Sequence, residues 1–265
     1  MVSAAPTNGA PVSEAATMTP PSSQEQQWSV DSVVSTLSTP LEANTTSPVP
    51  FFHLLERLKT TKREGWRRFN INHGESISDH MYRMSLLTMF APPSLASRID
   101  VQRCTRMALV HDMAEALVGD ITPVDGVPKA EKSRREAETM DFICKSLLGR
   151  VPSAGTGEQI RAIWQEYEDG ETLESKYVHD IDKVELLLQM VEYERAHEGA
   201  IDLQEFSYVA TRIVLPEVKA WAEDILRERE VFWEGIGRKH KAGLSDKLKS
   251  QQDEYYSSGP SAAKP

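Results

Sequence analysis

Apolar residues recur at three- and four-residue spacing from about residue 50 to residue 233, the period of helices with one buried face, and no strong alternating strand pattern appears. Phe51, Leu54, Leu55 and Leu58 open a first helix, and Pro50 suits its start, where a missing N–H costs nothing. Ser76 and Asp79 have the spacing of a capping box for a second helix carrying Ile77, Met81, Met84, Leu87 and Ala91, ended by Pro92 and Pro93. Asp100 can cap a third helix with Cys104, Ala108 and His111 on one face and Gly119 and Pro123 as its stop. Ala137, Met140, Cys144 and Leu147 mark a fourth, closed by Gly149 and Pro152. Thr156 and Gln159 fit another capping box, ahead of Ile160, Ile163, Trp164 and Tyr167, and Gly170 ends that helix.

From Leu173 to about His197 the chain is apolar over more than half of its helical circumference, through Ile181, Val184, Leu186, Leu187, Leu188, Met190 and Val191. Such a helix is expected at the centre, covered by others. Pro216 starts a last helix with Val218, Trp221, Ala222, Ile225, Leu226, Phe232 and Trp233 on its apolar side. The predicted class is all-α, one helical domain over residues 49–240. Residues 1–48 are rich in Ser, Thr, Pro, Ala and Gln, too poor in apolar area to offset chain entropy, and are expected to form a disordered tail. Trp28 to Leu37 is the one stretch there with amphipathic character. A second disordered tail is expected over residues 241–265.

A chain of 265 residues with 40% hydrophobic content can bury a core without disulfides, so Cys104 and Cys144 read as buried free thiols of a reducing compartment. The formal charge of −10 argues against a protein that coats nucleic acid, though not against a nucleotide-sized anion held at a local cationic spot. The longest apolar run, Val184 to Val191, is interrupted by Glu185 and Gln189 and is far too short to span a membrane. The first Lys or Arg is Arg57, so the N-terminal stretch resembles neither a secretion signal nor a transit peptide. The expected location is the cytoplasm, with nuclear access also open.

Polar groups on buried helix faces carry the chemistry, because burying charge is costly unless it is paired or bound to metal. His111 lies on the Cys104 and Ala108 face, Asp112 follows it, Glu115 is a turn further and Asp120 lies just beyond. His80 sits one turn before Met84 and also points at packed surface. Imidazole with carboxylate suits Mn, Co, Fe or Zn, with Mg plausible at an all-oxygen site. A single His-Asp pair is weak evidence, since His179 and Asp180 form a second one and either could be a hydrogen-bonded helix histidine.

The order His80, then His111 and Asp112, then an acid on a late buried helix resembles the HD-domain metal-dependent phosphohydrolases. The local words Glu75-Ser-Ile-Ser-Asp-His80-Met-Tyr-Arg-Met84, His111-Asp-Met-Ala-Glu-Ala-Leu-Val-Gly-Asp-Ile-Thr-Pro123 and Asp182-Lys-Val-Glu-Leu-Leu-Leu-Gln189 are similar to the 5′-deoxynucleotidase branch, over roughly Phe51 to Trp233. The resemblance implies an HD-domain helical bundle with His80, His111, Asp112 and Asp182 as metal ligands, Glu115 as acid/base and Asp120 positioning nucleotide or water. It also implies a second divalent ion near Glu115, Asp120 and the main-chain carbonyl of Ile121, a homodimer, and a small-molecule nucleotide substrate. Helical geometry alone does not choose between Asp182 and Asp180. Trp66 lies where the family places a tryptophan against the deoxyribose, but the arginine expected immediately before it is Gly65, so Arg63 or Arg67 would reach the phosphate. Plain core packing is the other reading of Trp66, and a solvated helix end the other reading of the basic run from Lys59 to Arg68. The implied reaction is hydrolysis of deoxyribonucleoside 5′-monophosphates. The same ligands could serve a deoxynucleoside triphosphatase or a cyclic-nucleotide phosphodiesterase, and a non-catalytic scaffold is the reading outside catalysis.

Overall fold

The computed structural model describes residues 28–152, 156–241 and 243–257, and among them the periodic segments fold as helices, with no strand beyond an isolated bridge between Lys62 and Ser76. In chain order these are α1 (Val30–Val34), α2 (Val49–Thr60), α3 (Glu64–Arg67), α4 (Ile77–Thr88), α5 (Pro93–Ala96), α6 (Val101–Val110), α7 (Glu115–Val118), α8 (Lys129–Asp141), α9 (Thr156–Asp169), α10 (Leu173–Ala196), α11 (Pro216–Gly235) and α12 (Asp246–Ser257). A π-helical turn, Phe142–Leu147, continues α8, and a 3-10 segment, Gln204–Arg212, follows α10.

The segment that is apolar nearly all round is α10, and it lies at the centre as expected. Tyr177, Val178, Ile181, Val184, Leu187, Met190 and Val191 are buried around it, and it packs against α4, α6, α9 and α11. The caps predicted at Ser76 and Asp100 form. Asp79 N–H donates to Ser76 Oγ at 3.1 Å while Ser76 N–H donates to the Asp79 carboxylate at 2.8 Å. Asp100 accepts from Arg103 N–H at 3.0 Å and starts α6. Both cysteines are free and buried.

Two differences from the periodic reading matter. The third helix does not run on to Gly119: α6 ends at Val110, residues 111–114 form turns, and α7 restarts at Glu115. The second concerns the flanks. Residues 1–27 and 258–265 lie outside the described residues, but 28–48, expected as tail, are folded against the domain. Ser29 and Ser32 make a capping box for α1, Val30 is buried, and Trp28 sits beside the guanidinium groups of Arg134 and Arg135 at 5.9 and 5.6 Å. Trp28 and Val30 supply local apolar area that the average composition of the segment conceals. The region beyond residue 241 likewise holds α12, tied to the 3-10 segment where Tyr208 and Arg212 donate to Asp253 at 2.9 and 2.6 Å.

Of the aromatic residues on α11, Trp233 is core, and Trp221 and Phe232 are half-buried. Trp233 is buried, and its indole N–H donates to Glu194 at 2.8 Å. Glu194, itself fully buried, also accepts from Arg229 at 2.7 and 2.8 Å and from Leu203 N–H at 2.8 Å, which joins α10 to α11 and the intervening loop. Glu194→Ala would strand the buried guanidinium, so chemical denaturation should show a loss of about 3 kcal/mol in unfolding free energy.

Candidate metal centre

His80, His111 and Asp112 converge where α4 meets the α6–α7 turn, and Asp182 of α10 reaches His80 there. The capping box at Ser76 begins α4 so that His80 falls at the end of its first turn, facing α10. His111 ends α6, and the turn after it lets Asp112 swing to the same side, which an unbroken helix would oppose by about 100°. Asp182 comes from the middle of α10. His80 Nε2 lies 3.2 Å from Asp182 and 3.8 Å from Asp112, and His111 Nε2 lies 3.2 Å from Asp112. Donor atoms of His80, His111 and Asp112 all lie within 4.8 Å of one another.

Each imidazole is held by its far nitrogen. His80 Nδ1 donates to Glu185 at 2.6 Å and His111 Nδ1 to the Ala108 carbonyl at 2.9 Å. Both Nε2 atoms are therefore turned inward, where they are buried and make no hydrogen bond of their own despite the nearby carboxylates. Two orphaned imidazole nitrogens facing two carboxylates form a donor set that fits a divalent transition ion, and the pattern of Nδ1 bonded while Nε2 is presented is the usual support for metal-ligating histidine.

The electrostatics point the same way. Burial and Arg63 both oppose charge on His80, yet Glu185 and Asp182 outweigh them and push its pKa up to about 10. Burial pushes the Asp112 and Asp182 carboxyls up, but His111, Arg63 and His80 around the first, and His80 above all around the second, hold both below the usual carboxylate range. The carboxylates of Asp112, Asp182 and Glu185 thus concentrate negative charge around the two imidazoles, which favours a cation there.

Glu115 is fully buried at the start of α7, with Lys132 Nζ 3.7 Å from one oxygen and the other oxygen without a partner. Burial, then the charges of Asp112 and Asp120, push its pKa well up, against the opposing pull of Lys132 and Arg63. Gly119, at φ +80°, turns the chain out of α7 and delivers Asp120, which accepts from Glu64 N–H at 2.5 Å. Arg63 lies between Asp112 at 3.1 Å and Asp120 at 3.5 Å. Burial disfavours its charge, but those two carboxylates with Glu115 and Asp182 hold it protonated. Beside these residues opens a cleft of about 630 Å³ whose wall includes Lys62, Arg67, Asp120 and Ile121.

The other predicted residues fall elsewhere. Asp180 faces away from the centre, its carboxylate accepting from Val214 N–H at 3.1 Å and Leu215 N–H at 2.8 Å at the start of α11. His179 stacks on Tyr167 at 3.9 Å, and burial, then Lys183, push its pKa down to about 4, so this second pair is structural. Trp66 is not presented to the cleft: it is buried against Tyr193 and Phe206, with its indole N–H donating to Glu75 at 2.7 Å. Arg67 is largely exposed and paired with Glu64 at 2.8 Å, on the cleft wall rather than at the centre.

Glu185 went unread in the sequence, together with Arg83, which donates to it at 2.8 Å. The signal was available: His80 and Arg83 on α4, and Asp182 and Glu185 on α10, are both pairs three residues apart and so share one helix face. Glu185→Gln should weaken divalent-metal binding by about 10–100-fold in a calorimetric titration while leaving the helical content unchanged.

Residues 55–221 match the family described as HD domain. The 5′-deoxynucleotidase hdd1 of Schizosaccharomyces pombe is 47% identical over 198 residues, 74% of this chain and 98% of that protein. The human 5′-deoxynucleotidase HDDC2 is 38% identical over 184 residues, 69% of this chain and 86% of its own length. Among solved structures, the HD domain-containing protein YGK1 superposes with a TM-score of 0.56 at 34% identity, covering 77% of this chain and 95% of that one.

Proposed function

The chain belongs to the HD-domain family, in its 5′-deoxynucleotidase branch, and from that premise we propose that it hydrolyses deoxyribonucleoside 5′-monophosphates to deoxyribonucleosides and phosphate. The observation that carries the reading is the pair of buried, unpartnered Nε2 atoms of His80 and His111 set against Asp112 and Asp182. These four residues would hold one divalent ion, with Mn, Co or Mg as the candidates to test. When bound, such an ion neutralises phosphate charge and lowers the pKa of a coordinated water.

The chain's own residues supply the rest. Arg63, held between two carboxylates at the mouth of the centre, has further N–H groups to offer a phosphate oxygen. Glu115, whose pKa is raised by burial and by Asp112 and Asp120, is the group that passes a proton to the departing 5′-oxygen. Lys62 and Arg67 line the adjoining cleft together with Glu64, Asp120 and Asp125, so its wall carries both signs of charge. Trp66 acts from beneath, filling the core under the loop that carries Arg63, rather than stacking on the sugar. The resemblance offers Glu115, Asp120 and the Ile121 carbonyl to a second ion; Lys132 and Arg63 stand beside those carboxylates.

Two finer parts of this proposal concern setting. The protein acts in the cytoplasm, with nuclear access open; among the described residues no helix is long and apolar enough to cross a membrane. It works as a homodimer, for which the exposed Tyr82, Leu86, Met89 and Phe90 at the end of α4 offer apolar contact area.

A phosphate-release screen of deoxy- and ribonucleotides with Mn, Co and Mg tests the reading. Orthophosphate from deoxynucleoside monophosphates is the expected product. Release of triphosphate, or of a linear monophosphate from a cyclic nucleotide, would move the chain to another hydrolase class, and no release from any substrate would favour a scaffold.

A further inference from the structure

Glu115 is the buried group least accounted for by its own helix. It stands at the first position of a four-residue helix, 1% exposed, and nothing on α7 holds its carboxylate. The group that does approach it comes from α8. Lys132 Nζ lies 3.7 Å from Glu115 Oε1 and 3.5 Å from Glu136 Oε1, the latter one turn further along α8 and also buried. The ammonium thus bridges two buried carboxylates from different helices. It engages one oxygen of Glu115 only, and Oε2 is left buried and without a hydrogen-bond partner.

We propose that Lys132 is a positioning residue for the hydrolytic reaction: it draws Oε1 of Glu115 toward α8 and leaves Oε2 as the oxygen that meets substrate. The inference rests on the reading of Glu115 as the acid/base. Two physical arguments support it. A buried carboxylate with a free χ rotation has no fixed donor geometry, and a single ion pair from a neighbouring element removes that freedom. The brace itself is anchored, since α8 is held from its other side. Arg134 donates to the Trp28 carbonyl at 3.1 Å, and the Trp28 ring lies beside the Arg134 and Arg135 guanidinium groups, so the helix carrying Lys132 is tied to the segment that leads into α1. Lys132 is about one-fifth exposed.

The test is a steady-state comparison of wild type, Lys132→Ala, Lys132→Arg, Glu115→Gln and the Lys132→Ala, Glu115→Gln double variant, with thermal melting and metal affinity measured on each. Lys132→Ala should lower kcat by about 10–100-fold with KM changed less than about twofold and metal affinity intact. Lys132→Arg should recover most of the lost turnover, and the double variant should be no slower than Glu115→Gln alone. A rise in KM at unchanged kcat would make Lys132 a substrate contact instead and overturn the proposal. Full turnover in Lys132→Ala, or losses that multiply in the double variant, would also overturn it. If Glu115→Gln itself kept full turnover, the acid/base assignment would fall first, which separates the two failures. Should Lys132→Ala melt early, Lys132→Gln carries the same comparison with the side-chain length kept.

Discussion

Replacing His111 with alanine is expected to lower phosphate release by more than about a thousandfold and to remove the divalent ion, while the protein stays folded. His111 supplies one of two imidazole nitrogens in the centre, and its ring is held by the Ala108 carbonyl alone, so truncation takes away a ligand without breaking an ion pair that joins helices. Some packing is lost against Tyr167, whose ring centroid is 4.9 Å away. Phosphate release and metal content measured on the same preparation check the prediction. His179→Ala is the matched control, because His179 lies in the other His-Asp pair and its ring hydrogen-bonds to the Tyr167 carbonyl. It should keep both metal and turnover. Equal losses in the two variants would mean that the centre has been misassigned.

Glu115→Gln should behave differently. Turnover is expected to fall by about a thousandfold with the ion retained, because glutamine preserves the shape of the carboxyl but has no proton to give at the working pH. Loss of an interaction used only in the transition state lowers kcat and kcat/KM together, so KM should change little. The pairing of these two results is informative. His111→Ala removes ion and rate, Glu115→Gln removes rate alone, and a shared structural collapse would not separate them.

The sequence carried the helical class and the place of α10 because those follow from the local period of apolar residues, which needs no knowledge of distant contacts. It also located Ser76 and Asp100 as caps, since capping chemistry acts over three residues. The break between Val110 and Glu115 was not legible. Gly119 offered a stop five residues or more too late, and nothing in the residues from His111 to Ala114 forbids a helix. That turn matters to function, because it is what brings His111 and Asp112 to one side. The choice between Asp180 and Asp182 was open for a similar reason. Two residues on one helix lie about 200° apart, and a helix buried on every side hides which direction is the site. The structure separates them by their partners: Asp180 faces the start of α11, and Asp182 faces His80 on α4.

Trp66 and Arg67 are carried over from a family pattern, and the structure places the first in the core and the second on the cleft wall. With Gly65 in place of arginine, the guanidinium that reaches the centre is that of Arg63, while Trp66 turns into the core toward Glu75 and Phe206. The docking of residues 28–48 was hidden because composition averages over a segment, whereas the amphipathic stretch within it places Trp28, Val30, Val33, Val34 and Leu37 against the core.

Anomalous diffraction from crystals grown with Mn, recorded near the manganese edge, is the most direct test of the convergence on which the chemistry rests. One strong peak is predicted within about 2.0–2.3 Å of the Nε2 atoms of His80 and His111 and of carboxylate oxygens from Asp112 and Asp182. A peak beside His179 and Asp180 instead, or none at saturating metal, would contradict it.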